Sequence, residues 1–167
     1  PYFATYYFGF NQKKEIWTDI DARRAIAMAI DRKKIILAMG TSDREATSWI
    51  PYGMIGYDET LGVSYDPKKA KEFWNRSKAA KSREIELGFD QNSRNVAVAQ
   101  VVQEQLKKTL GVDVKFRSRD WKTYVRELST DTPSLFRFGW LTTFMDPMAA
   151  LLPFLSENLN NYTGWKS

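Results

Sequence analysis

The 167-residue chain contains no cysteine and no histidine. Disulfides, thiolate nucleophiles, Ser-His and Cys-His catalytic sets and nearly all zinc sites are excluded together. Long hydrophobic runs are missing too, since no stretch approaches the roughly 18 uninterrupted apolar residues that a membrane span needs. There is no internal repeat, low-complexity tract or linker. With 43% hydrophobic residues, the length suits one domain with a single core and is too short for two well-buried ones. The lack of cysteine leaves the redox compartment open, because periplasmic and cytosolic proteins alike do without it.

The opening residues, Pro1 to Thr5, show no charged n-region or apolar h-region of a signal peptide, so the chain as given is expected to carry no address. An aromatic, strand-like run (Tyr6, Tyr7, Phe8, Phe10) starts almost at once without a polar lead-in, as expected of a segment excised from a longer protein.

Formal charge is +5, from 25 basic and 20 acidic residues, which raises the question of a polyanionic partner. The basic residues fall as short groups (Arg23-Arg24, Arg32-Lys33-Lys34, Lys68-Lys69, Lys107-Lys108) on separate predicted helices, interleaved with acids. That distribution reads as solvated helix faces, and no nucleic-acid partner is expected.

Thr18 is placed to cap a helix whose first turn carries Asp19 and Asp21, with Ala22, Ile26, Ala29 and Ile30 as its buried stripe. Asp31 breaks and re-caps the chain, Ile35, Ile36 and Met39 face inward, and Gly40 closes the second helix. From Thr41 to Tyr65 periodicity fades into a loop punctuated by Pro51, Gly53, Gly56 and Gly62. It still holds Trp49, Tyr52 and Tyr57, so it should lie against the body or a missing partner. Asp66-Pro67 opens a third helix.

Ile85, Leu87 and Phe89 alternate with Glu84, Glu86 and Gly88, the period of a strand with one wet face. Ser93 then caps a helix with Val96, Ala99, Val102, Leu106 and Leu110 inside, ended by Gly111. Immediately afterwards Val112, Val114 and Phe116 alternate with Asp113, Lys115 and Arg117. Strand, long helix, strand predicts a right-handed βαβ crossover with parallel strands. The predicted fold class is therefore α/β: a mixed sheet with a parallel βαβ unit flanked by helices, in one domain over residues 1–167. Asp120 caps a further helix with Trp121, Tyr124, Val125 and Leu128 inward, and Leu135 to Trp140 forms another strand. Asp146-Pro147 starts a last helix carrying Met148, Leu151, Leu152 and Leu155.

Several segments, in this order, resemble one lobe of a known family. They are Phe10-Asn11, Asp21 to Arg32 (DARRAIAMAIDR) followed by Ile35-Ile36, Ile50-Pro51-Tyr52-Gly53-Met54 and Tyr65 to Ala70 (YDPKKA). The match continues with Val102 to Lys107 (VQEQLK), Leu110-Gly111-Val112, Asp120-Trp121 to Tyr124, and Gly139-Trp140 to Asp146-Pro147. The resemblance is to the C-terminal lobe of the bacterial extracellular solute-binding proteins, family 5, which serve oligopeptide, dipeptide and nickel ABC importers.

It implies one lobe of a type II, venus-flytrap fold that closes on a ligand and delivers it to a membrane permease. Family members are several times longer, so the resemblance places an N-terminal lobe, a signal peptide and a C-terminal return outside this chain. It further implies a periplasmic location, or a membrane-tethered extracellular one in a single-membrane bacterium. The implied protein is a monomer that binds a small, peptide-like solute, without catalytic residues, cofactor or metal.

In peptide-binding members, an aspartate three residues after the tryptophan of the Gly-Trp motif holds the ligand's α-ammonium. Here that position is Thr143, whose hydroxyl accepts a hydrogen bond but cannot balance a buried ammonium. Three explanations stand: a ligand without that ammonium, an acid from the missing lobe, or a register shift that brings Asp146 into the role. Asp146 also reads as a helix cap. Arg137 lies where an oligopeptide-binding relative places an arginine near the ligand's carboxylate, and its planar fork suits that group. An ion pair within the lobe is its other reading. Trp140, at the end of its strand, is expected to wall the pocket or to pack in the core. Thr142 and Phe144 flank Thr143 as candidate ligand contacts, and Asn161 offers an amide to a ligand backbone.

Two other classes compete with the binding lobe. A hydrolase with Asp120 and Asp146 as paired carboxylates finds no spacing that singles out a dyad. A nucleic-acid binder built on Lys115, Arg117, Arg119, Trp121 and Lys122 meets the objection that strand alternation puts Lys115 and Arg117 on a wet face.

Overall fold

The computed structural model describes residues 3–166. Seven-residue strands β1 (Ala4–Phe10), β2 (Glu84–Asp90), β3 (Asp113–Arg119) and β4 (Leu135–Leu141) form one sheet in the order β1-β4-β2-β3. β1 is antiparallel to β4, while β2 is parallel to both β3 and β4. The predicted α/β class and the parallel β2–β3 pair are therefore both present. The helices are α1 (Ile20–Ala29), α2 (Arg32–Met39), α3 (Pro67–Arg76), α4 (Ser93–Leu110), α5 (Trp121–Thr130) and α6 (Pro147–Leu151).

Each of these helices begins at an aspartate or asparagine whose side chain accepts from a backbone N–H of the first turn: Asp19, Asp31, Asp66, Asn92, Asp120 and Asp146. Two caps differ from the expected ones. Thr18 is not a cap, because its hydroxyl donates to the Glu15 carbonyl at 2.8 Å and closes a 3-10 turn, leaving the anionic Asp19 to meet the helix N-terminus. Asn92 replaces Ser93, its Oδ1 accepting from the Asn95 amide at 2.9 Å.

One face of the sheet is covered by α1 to α4. Ile85, Leu87, Phe89, Val112, Val114 and Leu135 pack there against Ala22, Ala25, Ile26, Trp74, Val102 and Leu106. The other face carries Phe136 with Tyr124 and Leu128 of α5 and with Tyr162, flanked by Tyr7 and Phe138. Gly88 belongs to this second layer, not to a wet face. A Cβ built on it would lie 2.7 Å from Pro133 Cβ. Because a proline ring in the core cannot swing aside, Gly88→Ala is expected to destabilise the fold by about 2 kcal/mol. Urea unfolding checks this, and an unchanged midpoint would show that the 133 turn yields.

The last helix is shorter than its apolar pattern. α6 stops at Leu151 and a 3-10 turn, Leu152–Phe154, follows. Pro153 provides no N–H for Ala149 and clashes with its carbonyl, so the α ladder cannot continue. The freed carbonyls of Ala149 and Ala150 are taken instead by two indoles, Trp140 Nε1 at 2.7 Å and Trp49 Nε1 at 2.6 Å. Trp49 belongs to the long loop between α2 and α3, which lies against the body as expected. The loop is tied down by Thr5 donating to the Trp49 carbonyl and by Arg32 donating to the Val63 carbonyl. Among the described residues no helix is long and apolar enough to cross a membrane.

Candidate functional site

The ladder between β2 and β4 is only two residues long, Leu87 and Gly88 opposite Leu135 and Phe136. Beyond it the C-terminal ends of the two strands run on without pairing to each other. The Tyr124 hydroxyl lies at that fork, 3.1 Å from the Gly88 carbonyl and 2.5 Å from the Arg137 carbonyl. Burial raises its pKa far above that of a free phenol, so it stays a donor.

A cavity of about 550 Å³ opens above the fork, lined by Tyr6, Asp90, Arg94, Asn95, Trp121 and Arg137 among others. Arg137 donates to Asp90 at 3.3 Å with side-chain exposures of 16% and 9%, and its guanidinium sits 4.8 Å from the centre of the Tyr6 ring. Burial lowers the Arg137 pKa, and the Asp90 carboxylate works against that shift. Asp90 is further held by the Asn95 amide at 2.6 Å and the Asn92 amide at 2.9 Å. Trp121, expected to face inward, is 56% exposed and stacks its ring parallel to Phe138 at 6.0 Å. At the first turn of α5 the apolar stripe has run past the core edge, so the indole becomes a cavity wall.

Two arginines against one aspartate, at the N-terminus of the 18-residue α4, make the cavity electropositive. Its chemistry is that of a receptor for an anionic or strongly polar group beside flat aromatic surfaces. Asp90, Arg94, Asn95 and Tyr6 were not singled out from sequence. The available signal was that β2 ends in a polar stretch feeding a helix N-terminus, the place where open α/β sheets hold ligands.

Of the six candidates, Arg137 is in the cavity wall. Trp140 is three residues away on the same strand and so points to the opposite face, where its N–H is engaged by Ala149. Thr142 is fixed to the Phe3 carbonyl through both its N–H (2.9 Å) and its hydroxyl (2.6 Å). Thr143 and Phe144 are exposed in the turn between β4 and α6, and Asp146 caps α6 through the Met148 amide. The Asn161 amide donates to the Trp165 carbonyl at 2.8 Å within the C-terminal turns.

Open mixed sheet, covering helices and a polar cavity at the carboxyl ends of parallel strands together define an α/β domain of the ligand-binding kind. The family is defined more sharply by comparison. Residues 1–162 match the family model described as bacterial extracellular solute-binding proteins, family 5 middle, and the chain belongs to that family. It is 30% identical over its whole length to the oligopeptide-binding protein OppA of Bacillus subtilis, covering 33% of that protein. Over 96% of its length it is 26% identical to the periplasmic murein peptide-binding protein MppA of Escherichia coli, covering 32% of it. The solved structure of the Escherichia coli murein tripeptide binding protein superposes on the whole chain with a TM-score of 0.89 at 25% identity, over 35% of that structure. The chain thus spans about a third of the length of the relatives it matches.

Proposed function

We propose that residues 1–167 form one lobe of the substrate-binding component of a peptide-type ABC importer, capturing a peptide or similar small solute between this lobe and a second one. Handing the solute to a membrane permease completes that role, which involves neither catalysis nor a cofactor. Family membership and relatives named for oligopeptides, dipeptides and murein peptides support this reading. The place of action is then outside the cytoplasmic membrane, periplasmic or tethered there; relatives with the word periplasmic in their names support the periplasmic reading.

The observation that carries the proposal is the Arg137–Asp90 pair in an aromatic-walled cavity at the C-terminal end of β2. Arg137 meets a carboxylate or polar end of the solute, with Asp90 fixing its orientation. Trp140, Thr142, Thr143, Phe144 and Asn161 lie outside the cavity wall and, by the family resemblance, are assigned to contacts with the solute or the second lobe. Trp140 offers its ring there, because its N–H is already engaged.

Calorimetry on the full-length protein with a mixed tri- to pentapeptide series is expected to show micromolar or tighter binding. The isolated 167-residue chain is expected to bind at least tenfold more weakly, because one wall supplies only part of a buried ligand's contacts. Tight binding by the isolated chain overturns the two-lobe reading. Absence of peptide binding by the full-length protein overturns the solute class.

A further inference from the structure

Beyond the short β2–β4 ladder the two strands part, and the charged residues of the cavity wall, Asp90 and Arg137, lie just past the last pair, Gly88 opposite Phe136. Tyr124, reaching in from α5, acts as the spacer there. Its side chain is fully buried, and its hydroxyl lies within hydrogen-bond reach of one carbonyl on each strand, Gly88 at 3.1 Å and Arg137 at 2.5 Å. One hydroxyl has one proton to donate, and the shorter contact is the one to Arg137. The ring can come this close because Gly88 has no side chain: a Cβ built there would lie 3.5 Å from Tyr124 Cε2. α5 is itself anchored one turn further on, where Glu127 accepts from Arg117 at 2.9 Å and from Arg119 at 3.1 Å, both on β3. One turn before Tyr124, Trp121 stacks on Phe138 and walls the cavity.

We infer that Tyr124 is a positioning residue of the binding site: its hydroxyl, wedged between the parted strands, fixes the main chain of Arg137 and so the place at which the guanidinium meets an anionic group of the solute. The inference rests on the reading of Arg137 as the residue that meets the solute. A tyrosine that only filled the core would not need its hydroxyl, since phenylalanine occupies the same volume without a polar atom to desolvate. The hydroxyl is placed instead on the backbone of the one strand residue whose side chain carries the cavity's buried cation. The Arg137–Asp90 contact spans the same gap between the strands at 3.3 Å, so a change in their spacing reaches the ion pair directly.

The test is calorimetry on the full-length protein with one tripeptide, presented as the free acid and as its C-terminal amide. Wild type is expected to prefer the acid. Tyr124→Phe keeps the ring and drops the hydroxyl; it is expected to weaken binding of the acid roughly tenfold and to leave the amide within about twofold. In an Arg137→Gln background the same change should cost nothing further, because the two residues act through one contact. p-Aminophenylalanine at position 124 returns a donor of similar reach and is expected to restore the acid preference, a readout that stands even where Tyr124→Phe does not fold. Circular dichroism confirms the fold of each variant. Equal weakening of acid and amide, an undiminished penalty in the Arg137→Gln background, or no recovery with p-aminophenylalanine marks a structural role and overturns the inference. An acid preference that survives Tyr124→Phe yet vanishes in Arg137→Gln sinks this inference alone. A wild type that binds neither form, or both alike, sinks the reading of Arg137 together with it.

Discussion

Asp90→Ala is expected to cost the fold about 3 kcal/mol, more than truncation of Arg137 itself. The reason is what the mutation leaves behind. Arg137, with its side chain 16% exposed, would keep its charge and lose the one ion-pair partner it has among the described residues, retaining the Tyr6 face. Asn95, 3% exposed, would lose the carboxylate that takes its amide proton at 2.6 Å. A buried donor left with only the distant Asp90 main-chain carbonyl, 3.5 Å away, adds about 1 kcal/mol or more. Removing both charges is a different matter: Asp90→Ala combined with Arg137→Met replaces the pair with apolar volume and should recover most of the loss. Urea unfolding of the wild type, both single variants and the double variant closes the cycle. If the two single losses simply add in the double variant, the pair is not coupled and Asp90 does not orient Arg137.

The contrast between what the sequence showed and what it hid follows from the range of the interactions. The caps at Asp31, Asp66, Asp120 and Asp146 and the parallel β2–β3 crossover depend on neighbours along the chain, and all were legible. Thr18 and Ser93 each stood one residue from the true cap, because several side chains in those stretches are able to accept a hydrogen bond and tertiary contacts choose between them. The wet face assigned to Gly88 failed since its cover, Pro133 and Tyr124, arrives from more than thirty positions away. The same holds for the cavity. Asp90 read as the start of a loop, yet its meaning lies in Arg137, forty-seven residues on. One part of the site was decidable from spacing alone: residues 137 and 140 of a single strand must point to opposite faces, so the resemblance that set both at the ligand could not place them in one wall.

Those opposite faces bear on the ligand's other end. Thr143 stands where peptide-binding members are expected to carry the acid for an α-ammonium, and it is exposed in the turn after β4. Neither Asp146 nor Asp90 is free to take over, because Asp146 caps α6 and Asp90 is bound to Arg137. An ammonium enclosed there by closure of a second lobe would have a dipole instead of an anion as its partner. On this reading the full-length protein prefers ligands whose end at Thr143 is neutral or blocked. Thr143→Asp should invert that preference: free α-amines gain and N-acetylated peptides lose, for a combined swing of about a hundredfold, or roughly 2.8 kcal/mol. Affinities of wild type and variant for one peptide in free and N-acetylated form measure it directly. A wild type that already favours the free amine strongly, with no change in the variant, would mean that an acid of the other lobe holds the charge. Loss of affinity for both forms alike would mean that the turn is packed against protein and not against ligand.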